Sequence, residues 1–202
     1  MEKKHQPLGE VLYSDFAPEI RSLDGGGRVV FGYWALYNSR SREMRTAKGV
    51  RFTESITPGA FDQTDFSDVC CCFDHSDAQF LASAPTLRYG INERGAWYEY
   101  DHDPLDPVHV TTLQRILRGN AKGSSFQFPG LPDDCYEVED GPDGVLHVTI
   151  RKFPRVLEFG PVRLPAYPGT SAMARTIDLI AQVDTPDPLF IKRTLDARRL
   201  LR

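Results

Sequence analysis

Apolar and polar positions along this chain mostly follow the two-residue period of β-strands, in short runs separated by turn residues. Residues 28–37 are rich in β-branched and aromatic side chains, and residues 69–73, 96–101, 124–128, 145–152 and 156–164 follow as further predicted strands. Asp140-Gly141-Pro142-Asp143-Gly144 is a turn whose flanks, 135–139 and 145–150, predict a hairpin. There Leu146, Val148 and Ile150 alternate with His147 and Thr149, which predicts one buried face and places His147 on the wet one. A helix is signalled over 107–118: Asp106 caps it, Pro107 suits its first position, Arg115 and Arg118 its last turn, and Gly119 its exit. Val110, Leu113 and Leu117 fall on one face with Ile116 beside them, a stripe expected in the core. Thr57-Pro58 opens a second, smaller predicted helix. Many short strands with few helices predict an all-β barrel with helical insertions.

The remaining segments read as connections and tails. Gly25-Gly26-Gly27 predicts a hairpin turn, since no Gly-Lys-Ser/Thr continuation makes it a phosphate loop. Residues 38–50, with Arg, Ser and Lys and few apolar side chains, predict an exposed loop. From Asp187-Pro188 a last helix is expected, carrying Phe190, Ala197 and Leu201 on one face beside Lys192, Arg193, Arg198, Arg199 and Arg202. With 202 residues and 41% hydrophobic content the chain can bury one core. The expected division is an N-terminal segment 1–27, a β domain 28–182 and a basic amphipathic tail 183–202.

Charge and cysteine usage narrow the function classes. A net charge of −4, with no basic stripe through the body, argues against a nucleic-acid binder. No apolar run approaches the ~20 residues that cross a bilayer, and no hydrophobic segment follows Met1-Glu2-Lys3-Lys4-His5, so a soluble, cytosolic protein without membrane contact is expected. Of four cysteines, three are consecutive, Cys70, Cys71 and Cys72. Neighbouring strand residues point to opposite faces, so these thiols cannot converge on one metal; reduced, structural cysteines are expected, with no cofactor or metal.

Three side chains carry candidate chemistry: His75, Ser125 and Glu158, each in its own strand-like segment. A serine hydroxyl is a poor nucleophile at neutral pH until an imidazole takes its proton and a carboxylate holds that imidazole in one tautomer. Ser124 is the rival nucleophile, but adjacent strand residues face opposite ways, so only one of the pair can face His75.

The contexts of these residues, taken in order, resemble the prohead protease family of tailed bacteriophages, capsid-maturation serine peptidases distantly related to the herpesvirus assemblins. Residues 29–38 are similar to the family's opening strand, Glu54-Ser55-Ile56-Thr57-Pro58-Gly59-Ala60-Phe61 to its E-x-(I/V)-x-P-G-A-F stretch, and an apolar run then ends in His75. Thr86-Leu87, the aromatic strand at 96–101, a helix and the Gly-x-Ser-Phe segment around Ser125 follow, and Leu157-Glu158 and Pro165-Ala166-Tyr167-Pro168-Gly169-Thr170 close the likeness. The chain departs from the pattern beside the site: Asp74-His75-Ser76 stands where Asn-His-Asp is usual, Leu81-Ala82-Ser83 replaces a Leu-Gly, and Gln127 replaces a glycine.

The resemblance implies a closed antiparallel barrel with peripheral helices. It implies a serine endopeptidase with Ser125, the serine directly before Phe126, as nucleophile, His75 as general base and Glu158 as the orienting group. Because the assemblins use a second histidine as third member, His102 and His147 compete with Glu158. Implied substrates are scaffolding protein, the major capsid protein and the protease itself, inside the immature procapsid in the host bacterial cytoplasm, and a homodimer is implied by analogy. The basic tail would then contact scaffold or capsid protein. The alternative from another class is a non-catalytic barrel serving as a capsid-assembly or adaptor module. An esterase is disfavoured by the lack of a Gly-x-Ser-x-Gly elbow at Ser125.

Overall fold

The computed structural model describes residues 18–22, 27–46 and 48–163. The predicted C-terminal helix, the stretch 165–170 and most of the glycine turn at 25–27 lie outside the described residues. Twelve strands and one α-helix are described: β1 (Glu19–Ser22), β2 (Arg28–Leu36), β3 (Met44–Arg45), β4 (Arg51–Ile56), β5 (Cys70–Cys72), β6 (Phe80–Ala82), β7 (Leu87–Asn92), β8 (Gly95–Asp101), α1 (Pro107–Leu117), β9 (Gly123–Gln127), β10 (Tyr136–Asp140), β11 (Leu146–Ile150) and β12 (Glu158–Val162).

They form three four-stranded sheets, ordered β1-β2-β8-β7, β10-β11-β4-β3 and β6-β5-β12-β9. The fold is mainly β, as expected, but no sheet closes on itself, and the expected closed antiparallel barrel is replaced by three open sheets. Two pairings are parallel, β4 with β11 and β5 with β12. Strands β3, β5 and β6 have only two or three residues, too few to carry a continuous ladder from one sheet to the next. A single bridge, Tyr37 to Ile56, links the end of β2 to β4.

Strand β2 carries an irregularity that shapes the core. Its register against β8 slips between Tyr33 and Ala35, and the extra residue turns Trp34 and Ala35 both inward. Trp34 then stacks on Phe159 of β12, centroids 5.2 Å apart, and meets Phe61 and Phe126 at 4.8 Å each. Phe61 in turn stacks on Phe153 at 4.7 Å. This aromatic packing pins the first sheet against the third, each such pair adding about 0.5–1.5 kcal/mol beyond area burial.

Several sequence expectations change in three dimensions. The hairpin at 135–150 forms as β10 and β11, in register from Tyr136 opposite Ile150 to Asp140 opposite Leu146. The smaller helix at Thr57-Pro58 does not form. Successive turns replace it, closed by N–H donation from Ala60 to Thr57, Asp62 to Gly59 and Thr64 to Phe61, because Gly59 takes a left-handed φ of +85°. The segment 38–50 is not all exposed loop: β3 pairs with β4 within it, and Met44 is buried. Helix α1 keeps its cap, Asp106 accepting from Val108 and His109 N–H, but buries a different stripe. His109, Thr112 and Leu113 face inward while Val110 and Leu117 are exposed. Spacing alone permits both faces. The structure selects the one on which His109 Nε2–H donates to Leu81 O at 2.6 Å and Nδ1 accepts from Asp103 N–H at 3.1 Å.

Glu54 on β4 is an unpredicted buried acid. The residue as a whole is half-buried, yet its Oε2 is fully buried without a hydrogen-bond partner, and burial pushes the carboxyl up to about 7. A raised folded-state value means that the folded chain holds a proton the unfolded chain has released. Stability from this group is therefore complete below the unfolded value of 4.5 and is lost as pH rises through about 7. The loss is on the order of 3 kcal/mol between pH 4.5 and about pH 8. Urea unfolding at about pH 5 and about pH 8 is expected to show this fall in the wild type and little of it in Glu54→Gln; an equal fall in both would assign the pH dependence elsewhere.

Candidate active site

The third sheet brings the sequence candidates together. In β12 the Glu158 side chain lies on one face, the face on which Gly160 also falls, and Phe159 on the other, where it packs on Trp34. Strand β9 runs antiparallel beside it, with Gln127 opposite Glu158, Phe126 opposite Phe159 and Ser125 opposite Gly160. Cross-strand partners share a face, so Ser125 emerges on the same face as Glu158. Ser124 and Phe126 turn to the core side.

The rival serine is thereby occupied. Ser124 is 3% exposed, and its Oγ lies 3.0 Å from the phenol oxygen of Tyr98, with which it shares a hydrogen bond. Gly32 of β2 makes the room: a Cβ there would sit 2.8 Å from both Ser124 Oγ and the Tyr98 oxygen. Ser125 is half-buried on the opposite face.

Strand β5 flanks β12 on its other side, parallel to it, with Cys70 beside Glu158 and Cys71 beside Phe159. The chain leaves β5 through Phe73 and Asp74, and His75 follows in the turn. Its Nδ1 is hydrogen-bonded to Glu158 Oε1. The ring is partly exposed, whereas the Glu158 side chain is 9% exposed, so a mostly buried carboxylate holds an imidazole at the rim. This bond places the proton of a neutral imidazole on Nδ1 and leaves Nε2 free to accept one. Ser125 Oγ is not hydrogen-bonded to the ring in this conformation; it reaches the shared face from β9, diagonally across from Glu158. Diagonal neighbours of this kind stand roughly 7–8 Å apart, a gap of the size an imidazole spans.

The competing histidines lie elsewhere in the fold. His147, expected to face solvent, is half-buried on the second sheet, with Nδ1 3.0 Å from Thr53 Oγ1 and Nε2 3.1 Å from Ser55 Oγ. Burial holds its protonation below the usual histidine range. His102 stands at the end of β8 with its ring 6.0 Å from that of His109. Burial, then the neighbouring His109, lowers it as well.

The cysteines are free, and burial keeps them out of the chemistry. Cys71 is fully buried; Cys70 and Cys72 share the site face with their sulfurs 3.8 Å apart. Burial first, and the nearby charge of Glu158 as a smaller contribution, push all three thiols upward, so none is a thiolate nucleophile at neutral pH. Among the described residues no group of three His, Cys, Asp or Glu side chains is placed to hold a metal ion.

Sequence reasoning missed Gly160. It lies opposite Ser125, where a Cβ would fall 2.1 Å from the carbonyl oxygen of Cys72. The signal was present as the only glycine of Phe159-Gly160-Pro161, but its meaning depends on how closely β5 approaches.

A mainly β fold with an imidazole bonded to a buried carboxylate, and a serine on the same face, holds the side-chain types that serine hydrolases use. The family model for the caudovirus prohead serine proteases matches residues 17–183, and the chain belongs to that family. It is a serine endopeptidase of viral capsid maturation. No curated protein and no solved structure matches the chain. No described helix is long and apolar enough to cross a membrane.

Proposed function

We propose that this endopeptidase uses Ser125 as nucleophile, His75 as general base and Glu158 as the group that orients His75, and that it cleaves scaffold or capsid protein, and itself, within the procapsid. The observation that carries the residue assignment is the bond between His75 Nδ1 and Glu158 Oε1 on the sheet face where Ser125 emerges. Family membership supports the substrate class.

In the proposed reaction Ser125 Oγ forms a bond to the scissile carbonyl carbon while its proton passes to His75 Nε2. Glu158 accepts the Nδ1–H bond and stabilises the imidazolium. Collapse of the tetrahedral intermediate breaks the C–N bond, the amine departs with the proton from Nε2, and an acyl-enzyme on Ser125 remains. Water, deprotonated by the same nitrogen, then releases the new carboxylate. Proteolysis is irreversible in practice, so removing scaffold contacts commits the shell to its mature form. We further propose that the enzyme acts as a homodimer.

Labelling with a fluorophosphonate tests the assignment. Wild type and Ser124→Ala are expected to be labelled, and Ser125→Ala and His75→Ala are not. Labelling that survives Ser125→Ala and maps to another serine would reassign the nucleophile, and a wild type inert to the reagent while processing its capsid protein would remove the serine mechanism.

A further inference from the structure

Asp74 and His75 both adopt the left-handed backbone conformation, with φ of 56° and 58°. Residues with a Cβ enter that region rarely and stay there only when their surroundings hold them. No glycine relaxes this turn, so its shape depends on what fastens it.

Besides the bond from the His75 ring to Glu158, two hydrogen bonds fasten it to the end of β12 and the residue just after it, and both belong to Asp74. Its backbone N–H donates to Pro161 O at 3.0 Å, and its side-chain Oδ1 accepts from Arg163 N–H at 3.1 Å. The remaining backbone ties of the turn are internal: Phe73 N–H donates to Gln79 O at 2.9 Å, Ser76 N–H to Phe73 O at 3.3 Å and Gln79 N–H to Ser76 O at 2.8 Å. Those set the shape of the turn but not its place over β12.

The same strand carries Glu158 at its start. Three strand residues, about 10 Å, separate Glu158 from Pro161. The turn is thus held at two points of one rigid element: by Asp74 at the far end and by the His75 ring at the near end. With the far end released, the turn is no longer held in place over β12, and the ring loses both its steady bond to Glu158 and its fixed approach to the face that carries Ser125.

We propose that Asp74 is a positioning residue for His75, acting through the hydrogen bond from Arg163 N–H to its carboxylate rather than through its charge. This rests on the reading of His75 as the base. An asparagine keeps the accepting oxygen and tolerates the left-handed conformation while removing the charge. Alanine loses the oxygen, and glycine loses the oxygen while favouring the backbone angle.

The test compares Asp74→Asn, Asp74→Ala and Asp74→Gly in the full chain by fluorophosphonate labelling, resolved into kinact and KI, and by proton NMR of the His75 Nδ1–H. Asp74→Ala and Asp74→Gly are expected to lower kinact by about 10- to 100-fold with KI within about 2-fold, because a misplaced reacting group costs on this scale. Asp74→Asn is expected to stay within about 3-fold of wild type by the same scale. The downfield Nδ1 proton is expected in wild type and Asp74→Asn, and broadened or lost in the other two. An undiminished signal in Asp74→Ala, wild-type kinact in Asp74→Gly, or a loss in Asp74→Asn equal to that in Asp74→Ala would each overturn the proposal. Because the NMR signal needs no turnover, it decides the positioning role even if labelling assigns the nucleophile elsewhere.

Discussion

Ser125→Ala is expected to lower kcat for cleavage of a coexpressed capsid substrate by roughly 10⁴-fold or more, with stability within about 0.5 kcal/mol of wild type. The expected asymmetry with its neighbour is the sharper part. Ser124→Ala removes the partner of a buried phenol, so it should cost about 1–2 kcal/mol of stability while cleavage stays within a few-fold. Glu158→Gln should fall between them in activity, losing roughly 10²- to 10⁴-fold, since an orienting group usually matters less than the nucleophile. Mass spectrometry of the cleavage products, with urea titrations of the same variants, separates the three outcomes. A Ser125→Ala variant that still processes its substrate, beside an inactive and well-folded Ser124→Ala, would reverse the assignment of the pair.

The second large effect concerns folding. Gly160→Ala places a methyl group 2.1 Å from the Cys72 carbonyl oxygen and 3.1 Å from the Cys72 backbone nitrogen. Both atoms are backbone, so no rotamer change relieves the overlap, and β5 must move away from β12. The expected cost is about 3 kcal/mol or more, at or above the upper end for an overpacked core. Displacement of β5 also carries the His75 turn away from Glu158, so activity should fall further than stability alone explains. A Gly160→Ala variant with an unchanged urea midpoint would show that the two strands have slack. A comparable change at Gly119, whose added Cβ meets nothing within 4 Å, is limited to the strain of its φ of +67°.

Much of the local structure was legible along the chain. The strands at 28–37, 96–101 and 124–128 and the hairpin around Asp140–Gly144 follow from β-branched and aromatic runs between turn residues, and α1 from its Asp106 cap and Pro107. The family was also legible, through the order of its motifs, and the chain is a member. What could not be read is which of two helical stripes faces inward on α1, because the exposed Val110 and Leu117 are more apolar than the buried His109 and Thr112. Only the contacts of His109 with Leu81 and Asp103 break that tie. Likewise the short β3 and β6 and the two parallel pairings leave little trace in sequence, since two or three residues carry no measurable period and pairing partners lie far apart in the chain, whereas β5 falls within the predicted strand at 69–73. The closed barrel expected from the resemblance gave way to open sheets at those same short strands.

The residues capable of the chemistry, and the opposite orientations of Ser124 and Ser125, were determined by sequence alone, because side-chain type is local and strand alternation is a property of the backbone. Which of the two serines meets the core was decided by Tyr98 and Gly32. That Glu158, rather than His102 or His147, bonds to His75 was decided by the parallel run of β5 beside β12. Both are contacts between residues far apart in the chain, and they exist only once packing has chosen the neighbours.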